Sequence, residues 1–370
     1  MTPQDPMTPE AAMPVLSLCV PTYNRAALLP QSLRSILGQI TPEMRQSVEV
    51  VILDNASPDD TPAVVAGAQA DFPDAPVRYL RRPENIGADA NLCDAPNQAR
   101  GQFVYLISDD DVLLPGAVER LLQLIGDHPD LDAFTLNLYE FWDSPDEEAV
   151  CYFTKPPHDR ILHSRDEALW EMNSLIIFLS SMAFRRENVA GRDYSRFQGT
   201  YMAQAFMFLD ALAPGRGLYV TIQPYLARRA DNHEGYRFFQ VFVTNWAALM
   251  RYALSVGYSR EGVRRTMENY LGFLLDSIVL FKARGSIGKL GLSNWQSLDA
   301  AARLVRAYGR HKSAMTILLP RLLMPRGLYG ALKDLGLRVR VRLGHPIGPE
   351  SAALKAVPEH RAKPRRKEAP

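Results

Sequence analysis

The stretch FVYLISDDD at residues 103–111 decides the fold, because a run of apolar residues there ends abruptly in three aspartates. Three earlier runs have the same character: each is short, rich in branched aliphatic residues and followed by polar or turn-forming residues. They are VLSLCV at 15–20, VEVVIL at 48–53 and VRYL at 77–80. Runs of this length and composition predict β-strands.

Helical patterns separate these four strands. Apolar residues recur at helical spacing from about residue 26 to 40, and Asp59-Asp60-Thr61-Pro62 predicts a capped helix start whose helix reaches about residue 70. A turn at 84–87 opens a third helix that runs to about residue 100. Strands that alternate with helices predict a parallel sheet with right-handed crossovers. The predicted fold class is therefore α/β, doubly wound, with a mainly parallel sheet.

The second half of the chain predicts more helix than strand. Further strands are expected at 133–142 and 178–185, on either side of an irregular insertion that contains a helix near 165–174. Helical spacing recurs at 199–213, 238–282 and 293–308.

Composition excludes several classes of protein. The chain has 370 residues, of which 47% are hydrophobic and 22% charged, so most of it is expected to fold. It has no run of 18 uninterrupted apolar residues, which argues against a membrane span, and its N-terminal stretch does not have the pattern of a secretion signal. Three cysteines without a CxxC pair argue against a disulfide framework or a zinc site and favour a cytoplasmic location.

Charge is distributed unevenly along the chain. The net charge is +1, but residues 321–370 hold 12 Lys and Arg against 4 Asp and Glu. The mixture of Leu, Met, Val and basic residues at 317–343 predicts either peripheral contact with an anionic membrane or a helix that packs on the main domain with its arginines reaching solvent. Basic residues without interleaved aromatics argue against nucleic-acid binding.

Polar residues follow the predicted strands where each strand ends. Tyr23 and Asn24 come after the first strand, Asp54 comes after the second, and Asp109 opens the triplet after the fourth. Sheets of this kind bind ligands beyond the carboxyl ends of their strands. These distant residues are therefore expected to converge on one cleft.

The aspartate triplet predicts a cation-binding site. Adjacent carboxylates repel one another unless a cation neutralises them or one is protonated. Oxygen ligands of this kind suit Mg²⁺ or Mn²⁺, which commonly bridge to substrate phosphates. The alternative is that Asp111 caps a helix that begins near Pro115, a role that needs no ligand.

Four motifs, taken in order, resemble the family 2 glycosyltransferases of GT-A fold: PTYNR at 21–25, DNAS at 54–57, ENIGA at 84–88 and SDDD at 108–111. The resemblance covers about residues 14–125. It implies a nucleotide-sugar donor, with the first motif along the base and ribose and Asp54 hydrogen-bonded to one of them. The donor-binding residues that it implies are Pro21, Thr22, Tyr23, Asn24, Asp54, Asn85, Gly87 and Asp110.

The same resemblance implies a metal-assisted transfer. Asp109 and Asp111 would hold Mg²⁺ or Mn²⁺ on the diphosphate, and His233 in the polar segment 228–233 is a further candidate ligand, although that segment could equally be a solvated surface loop. The implied reaction inverts the anomeric carbon by direct displacement, which needs a base opposite the leaving group.

The chain departs from the family at that base. Many relatives have a Glu-Asp pair where an acceptor-side helix begins, but here the corresponding stretch reads GTYMAQ at 199–204. Asp193 and Asp210 are the nearest candidates, and each could instead have a structural role.

The sequence therefore predicts an inverting, metal-dependent glycosyltransferase that acts on a glycan or lipid-linked acceptor in cell-surface polysaccharide synthesis. The stretches ENIGADAN and LISDDD resemble the abequosyltransferase-like branch, whose members act on lipid-linked bacterial polysaccharide precursors. The predicted organisation is a flexible leader at 1–13, a GT-A-like domain at 14–235, a helical region at 236–345 and a basic disordered tail at 346–370.

Two other classes of protein remain open. The missing Glu-Asp pair permits a nucleotide-sugar-binding module that has lost catalysis. A nucleotidyltransferase would share the fold class, but it should have a glycine-rich loop after the first strand, and residues 21–29 contain no glycine.

Overall fold

The computed structural model describes residues 13–141, 144–145, 158–229, 238–284, 297–309, 311–312 and 314–323. Within these ranges nine strands form one mixed sheet. They are β1 (Leu16–Thr22), β2 (Val48–Asp54), β3 (Val77–Arg81), β4 (Phe103–Leu106), β5 (Val112–Leu113), β6 (Ala133–Phe141), β7 (Arg160–Leu162), β8 (Ala183–Arg185) and β9 (Leu218–Arg229). Their order is β3-β2-β1-β4-β8-β6-β9-β5, and β7 pairs with β9.

The parallel half of the sheet matches the prediction. Strands β3, β2, β1 and β4 are parallel, and the register pairs Thr22 with Asp54 and Cys19 with Leu106. Strands β1, β2 and β4 consist almost entirely of buried residues, as expected for strands covered on both faces. The α/β class with a mainly parallel sheet is thus confirmed, and the carboxyl ends of these strands share one edge.

The other half of the sheet was harder to predict from the sequence, because its strands pair in both directions. Strand β8 is antiparallel to β4 and β6, whereas β9 is parallel to β6 and antiparallel to β5 and β7. Strand β8 begins at Ala183 rather than at residue 178, because 3₁₀ turns at Asn173–Ile177 and Leu179–Ser181 precede it. Strand β9 contains Pro224, which a sheet tolerates here because the register shifts opposite Asn137.

Helices cover the sheet and continue beyond it. They are α1 (Leu29–Leu37), α2 (Thr61–Asp71), α3 (Ala88–Cys93), α4 (Ala95–Gln98), α5 (Ala117–Asp127), α6 (Arg165–Met172), α7 (Ala203–Leu212), α8 (Trp246–Ser255), α9 (Arg260–Arg284), α10 (Ser297–Tyr308) and α11 (Leu319–Leu323). The third predicted helix is divided into α3 and α4 because Pro96 lies in the first turn of α4. The predicted helix at 238–282 begins with a π-helical turn at Gln240–Asn245 and is interrupted at Gly257, whose φ is +98°.

The C-terminal helices share the core of the sheet domain. Trp246 stacks on Tyr270 with ring centroids 3.9 Å apart, and the Tyr258 hydroxyl donates to the carbonyl of Leu209 at 2.9 Å. Buried apolar side chains from Leu16 to Leu322 form one continuous cluster. No helix in the described part of the chain is long and apolar enough to cross a membrane. The predicted leader up to residue 12 and the predicted tail lie outside the described residues.

Candidate active site

The carboxyl ends of β1, β2 and β4 bring three sequence motifs together. Pro21 and Thr22 end β1, and Thr22 lies beside Asp54 at the end of β2. The Thr22 hydroxyl donates to Oδ2 of Asp109 at 2.7 Å. This contact joins the first motif to the aspartate triplet across 87 positions of the chain.

Asp54 is fully buried, and both of its carboxylate oxygens contact neighbouring residues. Its Oδ1 accepts the Ser57 N–H at 2.8 Å, and its Oδ2 accepts the Tyr79 hydroxyl at 2.5 Å. The Nε of Arg81 lies 3.4 Å from Oδ2. The Ser57 contact closes a turn, as aspartates often do, but Tyr79 and Arg81 are additional partners that fix the orientation of the carboxylate.

The turn at residues 84–87 is tied to the end of β2 through Asn55. The Asn55 Nδ2 donates to Oδ1 of Asn85 at 2.8 Å, while the Asn55 Oδ1 accepts the Ile86 N–H at 3.0 Å. Gly87 has a φ of +89°, a conformation that side chains disfavour. The turn that contains Asn85 and Gly87 is therefore held next to Asp54.

The loops after β1 and β2 both contain strained backbone. Asn24 has a φ of +55° and Ala56 a φ of +61°, although neither is glycine. The Asn24 N–H donates to Oγ of Ser57 at 3.0 Å, which joins the two loops. Tyr23, next to Asn24, is 42% exposed. Such conformations cost about 1–3 kcal/mol each and concentrate at functional sites.

The aspartate triplet is buried. Burial raises the pKa of Asp109 to about 7, and burial together with the charge of Asp110 raises the pKa of Asp111 above its ordinary value. Oδ1 of Asp110 accepts the Ser108 hydroxyl at 2.6 Å. Burial is the main cause of both raised pKa values, and it disfavours the ionised form of each carboxyl group.

Asp111 holds the triplet to two distant segments. Its Oδ2 accepts the Ser180 hydroxyl at 2.7 Å, and its Oδ1 accepts the Arg229 N–H at 3.2 Å. Ser180 in turn accepts the Ser108 N–H at 2.8 Å. Helix capping alone does not describe Asp111, because these partners lie 69 and 118 positions away.

Arginines partly compensate the charge of the triplet. The Arg25 guanidinium lowers the pKa of Asp109, and the Arg228 guanidinium lowers that of Asp111, but burial outweighs both effects. The compensation is therefore incomplete.

Arg229 carries a buried donor beside the triplet. Its Nη2 donates to Oε1 of Gln31 at 2.6 Å, and its guanidinium lies over the Phe141 ring, 4.7 Å from the centroid. Its Nε is buried and has no hydrogen-bond partner among the residues that the structure describes. A buried guanidinium donor of this kind suits an anionic ligand such as a phosphate.

Protein side chains alone do not complete a metal site here. Within the described ranges, no group of three or more His, Cys, Asp and Glu side chains is arranged to hold a metal ion, and His233 lies outside those ranges. Asp109 and Asp111 remain as buried carboxylate oxygen donors. This donor set fits Mg²⁺ or Mn²⁺, which can complete the coordination shell with water and substrate phosphate oxygens.

The two predicted base candidates have different surroundings. Asp193 is exposed, and the Ser195 N–H that donates to it at 2.8 Å lowers its pKa. Asp210 is buried in α7 and accepts the hydroxyls of Tyr194 and Tyr252, at 2.9 and 2.8 Å. These contacts describe a packing role for Asp210 between α7 and α8.

Sequence reasoning missed three organising residues: Tyr79, Asp89 and Ser180. Asp89, in the first turn of α3, accepts the Tyr201 N–H at 3.2 Å. Tyr79 looked like an ordinary strand residue and Ser180 like part of a strand. A lone hydroxyl gives no signal when its partner is distant in sequence, so only the motif positions could be found beforehand.

The fold has relatives among solved structures. The crystal structure of Staphylococcus aureus TarS 1-349 in complex with UDP-GlcNAc superposes with a TM-score of 0.55 at 17% identity, and the match covers 90% of this chain and 93% of that one. The fold is that of the GT-A glycosyltransferases, as the four motifs indicated.

A comparison with protein-family models matches part of the chain. Residues 17–190 match the family model of "Glycosyl transferase family 2". Over these residues, just under half of the chain, the protein is similar to this family.

Characterised relatives match parts of the chain. The "GalNAc(5)-diNAcBac-PP-undecaprenol beta-1,3-glucosyltransferase" of Campylobacter jejuni is 38% identical over 112 residues, which are 30% of this chain and 34% of that protein. Abequosyltransferase RfbV of Salmonella typhimurium is 25% identical over 231 residues, which are 59% and 67% of the two chains. The aligned part thus spans about a third of the first relative and two thirds of the second.

Proposed function

We propose that this protein is a metal-dependent, inverting glycosyltransferase that moves a sugar from a nucleotide-diphosphate donor to a glycan or lipid-linked acceptor in cell-surface polysaccharide synthesis. One observation carries the proposal: Thr22 and Asp109 are hydrogen-bonded at the edge where Asp54 also lies. The similarity of residues 17–190 to the family model and the names of the two relatives support the same activity.

The donor would lie along the ends of β1, β2 and β4. Asp54 and the Tyr23-Asn24 loop would contact the base and ribose, with Oδ1 of Asp54, which accepts the Ser57 N–H, offering its second lone pair to a nucleotide N–H or hydroxyl. The Arg229 Nε is buried and has no hydrogen-bond partner among the described residues, so we assign it to the anionic diphosphate. When bound by Asp109 and Asp111, Mg²⁺ or Mn²⁺ would neutralise charge on the leaving diphosphate.

Displacement with inversion also needs a proton acceptor on the side of the attacking hydroxyl. The two predicted carboxylates have different surroundings: Asp193 is open to solvent, whereas Asp210 is enclosed by tyrosines. Asp193 closely follows Gly191, whose N–H donates to Asn97 ahead of β4, at the edge opposite the aspartate triplet. Asp193→Asn and Asp210→Asn test the role, because the variant that loses transfer while it keeps nucleotide binding identifies the base, and full activity of both variants would remove both residues from it.

A thermal-shift experiment tests the proposed donor site. UDP and GDP, each with Mn²⁺, should raise the melting temperature of the wild-type protein by binding the folded state. Asp109→Ala and Asp111→Ala should each abolish the Mn²⁺-dependent part of the rise, whereas the exposed Asp127→Ala in α5 should keep it. An undiminished rise in both triplet variants would refute the metal site, and release of nucleotide from a nucleotide sugar would separate an enzyme from an inactive binding module.

We further propose a cytoplasmic enzyme that contacts the membrane peripherally through the basic segment that follows residue 316, most of which lies outside the described residues. Its excess of Lys and Arg supports attraction to anionic lipid. Flotation with phosphatidylglycerol vesicles should be salt-sensitive and should be lost when the chain ends after residue 323. Flotation that persists in the truncated protein would contradict the proposal.

A further inference from the structure

Tyr201 combines an exposed ring with an unfavourable backbone conformation. Its φ is +56°, in the left-handed region that a bulky residue rarely adopts, and the residue is 54% exposed. Burial of the ring therefore does not compensate the backbone strain. Strain that persists at a solvent-exposed aromatic residue points to a use for that residue.

Asp89 holds the strained segment in place. Its Oδ2 accepts the Tyr201 N–H at 3.2 Å, and the backbone N–H groups of Gly199, Thr200 and Ala203 also act on the same carboxylate. On the opposite side of the segment, Nδ2 of Asn245 donates to the carbonyl of Thr200 at 2.8 Å. The Tyr201 backbone is thus fixed from both α3 and the helical region.

The anchors of this segment lead back to the candidate site on both sides. Helix α3 is fixed to the end of β2, where Asn91 Nδ2 donates to the carbonyl of Leu53 at 2.8 Å, directly before Asp54. In the first turn of α7, Gln204 donates to the carbonyl of Ile177, in the segment that also carries Ser180. Tyr201 is therefore held between α3, which is fixed to the end of β2, and the segment that carries Ser180.

We propose, on the basis of the function argued above, that Tyr201 is a stacking platform for a pyranose ring of the acceptor and that Asp89 is the positioning residue for this platform. The flat face of a tyrosine ring is electron-rich, whereas the C–H face of a pyranose is apolar and slightly positive, so the two stack. The nucleotide part of the donor is assigned to the strand ends. Tyr201 lies outside those strand ends, so it is assigned to the sugar of the acceptor.

Saturation-transfer NMR with methyl glycosides tests the platform without requiring turnover. The probes are the methyl α- and β-pyranosides of glucose, galactose, mannose and N-acetylglucosamine. Wild-type protein with UDP and Mn²⁺ should transfer saturation to the C–H face of at least one probe. Tyr201→Gly should lower the affinity for that probe on the order of tenfold. Tyr201→Trp should restore binding. The exposed Leu254→Ala in α8 should bind the probe like wild type.

The glycine variant separates a binding role from a structural role. Glycine adopts a φ of +56° without strain, so Tyr201→Gly should melt at or above the wild-type temperature while it loses the probe. A lower melting temperature with unchanged probe binding would overturn the proposal, as would the absence of transfer to every probe in the wild-type protein. If UDP and GDP give no thermal shift, the proposed function itself fails, and that outcome is read independently of the glycosides.

Asp89→Asn distinguishes positioning from proton transfer. Asparagine keeps an oxygen that can accept the Tyr201 N–H, so a positioning role predicts probe affinity within about threefold of wild type, and Asp89→Ala should lose affinity as Tyr201→Gly does. Equal probe binding by all three proteins would overturn the role of Asp89.

Discussion

A single hydroxyl on β3 stabilises the most deeply buried carboxylate of the site. The Tyr79 hydroxyl donates to Asp54, and burial and the carboxylate together raise the pKa of Tyr79 above its usual range, so it stays a donor at any physiological pH. We expect Tyr79→Phe to lower the free energy of unfolding by about 1–3 kcal/mol, because one Asp54 oxygen loses its strongest partner. Urea unfolding at pH 7 measures this.

The matched control is Tyr219→Phe. The Tyr219 hydroxyl also donates to a carboxylate, that of Asp159, at 3.2 Å, but both residues are partly open to water. We therefore expect a loss below about 0.5 kcal/mol there. Equal losses in the two variants would show that the Tyr79 hydroxyl has no special role at Asp54.

At the residue scale, strand ends were predictable and distant partners were not. Tyr23, Asp54 and Asp109 could be chosen because each follows an apolar run. Thr22 was implied only by the family resemblance. Ser180 and the Arg229 N–H reach Asp111 only through the antiparallel half of the sheet, whose pairing no local pattern specifies. Their roles at the triplet became visible only in three dimensions.

At the scale of elements, Gly101 lets the chain before β4 approach β1. A Cβ atom there would lie 2.7 Å from the backbone N of Ser17 and 2.9 Å from the carbonyl carbon of Leu16. These atoms belong to a buried strand and cannot yield. We expect Gly101→Ala to cost about 1–3 kcal/mol, measured by urea unfolding.

Gly67→Ala in α2 is the opposite case. A Cβ atom there would meet nothing within 4 Å, and the residue lies inside an exposed helical turn. We expect this variant to gain about 0.5–1 kcal/mol, since alanine favours the helix. If both alanine variants were destabilised alike, close approach of the backbones would not explain the effect at Gly101.

Glu49 on β2 ties together three elements at the opposite edge of the sheet. It accepts the Ser17 hydroxyl at 2.6 Å, the Arg100 N–H at 2.6 Å and the Arg78 guanidinium at 2.9 Å. Burial alone would raise the pKa of Glu49, but these partners together lower it below its usual 4.5. The folded protein therefore favours the ionised form.

This lowered pKa predicts a pH-dependent contribution to stability. A carboxyl group whose pKa is lower in the folded state stabilises the protein above its unfolded pKa, and the contribution is lost as the pH falls through the folded pKa. Glu49→Gln should have a lower urea midpoint than wild type at pH 7, and the gap should narrow below about pH 4. A gap that stays constant over this range would contradict the assignment.

Element types followed from sequence where the hydrophobic period was clear. The three βα repeats that lead to β4 were found because their strands are short, mainly apolar runs that end at polar or turn-forming residues. Strand β9 was not recognised as a strand, since Pro224 and the register shift at Asn137 interrupt its pattern. The three-residue β7 pairs with β9 in a way that its own residues do not indicate.

For the molecule as a whole, the continuous core predicts that the sheet domain needs the C-terminal helices. We expect a chain that ends after residue 235 to expose the face of α7 against which Tyr252 and Tyr258 pack. Such a fragment should bind the dye ANS and aggregate, because it lacks part of the cluster that reaches Leu322. Dye fluorescence and gel filtration measure this.

The control is a chain that ends after residue 345, which keeps every described helix. It should elute as a compact species without dye binding. A compact, dye-free fragment ending at residue 235 would show instead that the two parts fold independently.

The overall architecture was predictable only in outline. Composition and the βα order gave the class of the sheet and a helical C-terminal region. The core shared by the sheet and the C-terminal helices could not be predicted. The apolar face of a helix shows that it is buried, but not which element it packs against. Contacts such as the stacking of Trp246 on Tyr270 depend on chain crossings that local patterns do not encode.

The contact between Asp111 and the Arg229 N–H has a consequence for biosynthesis. The triplet leaves the ribosome long before β9, and its anchoring partner follows 118 residues later. A nascent chain that already contains the whole parallel half of the sheet therefore still lacks this contact of the candidate site. This contact can form only after β9 has been translated, and the continuous core then still awaits the helices that reach Leu322.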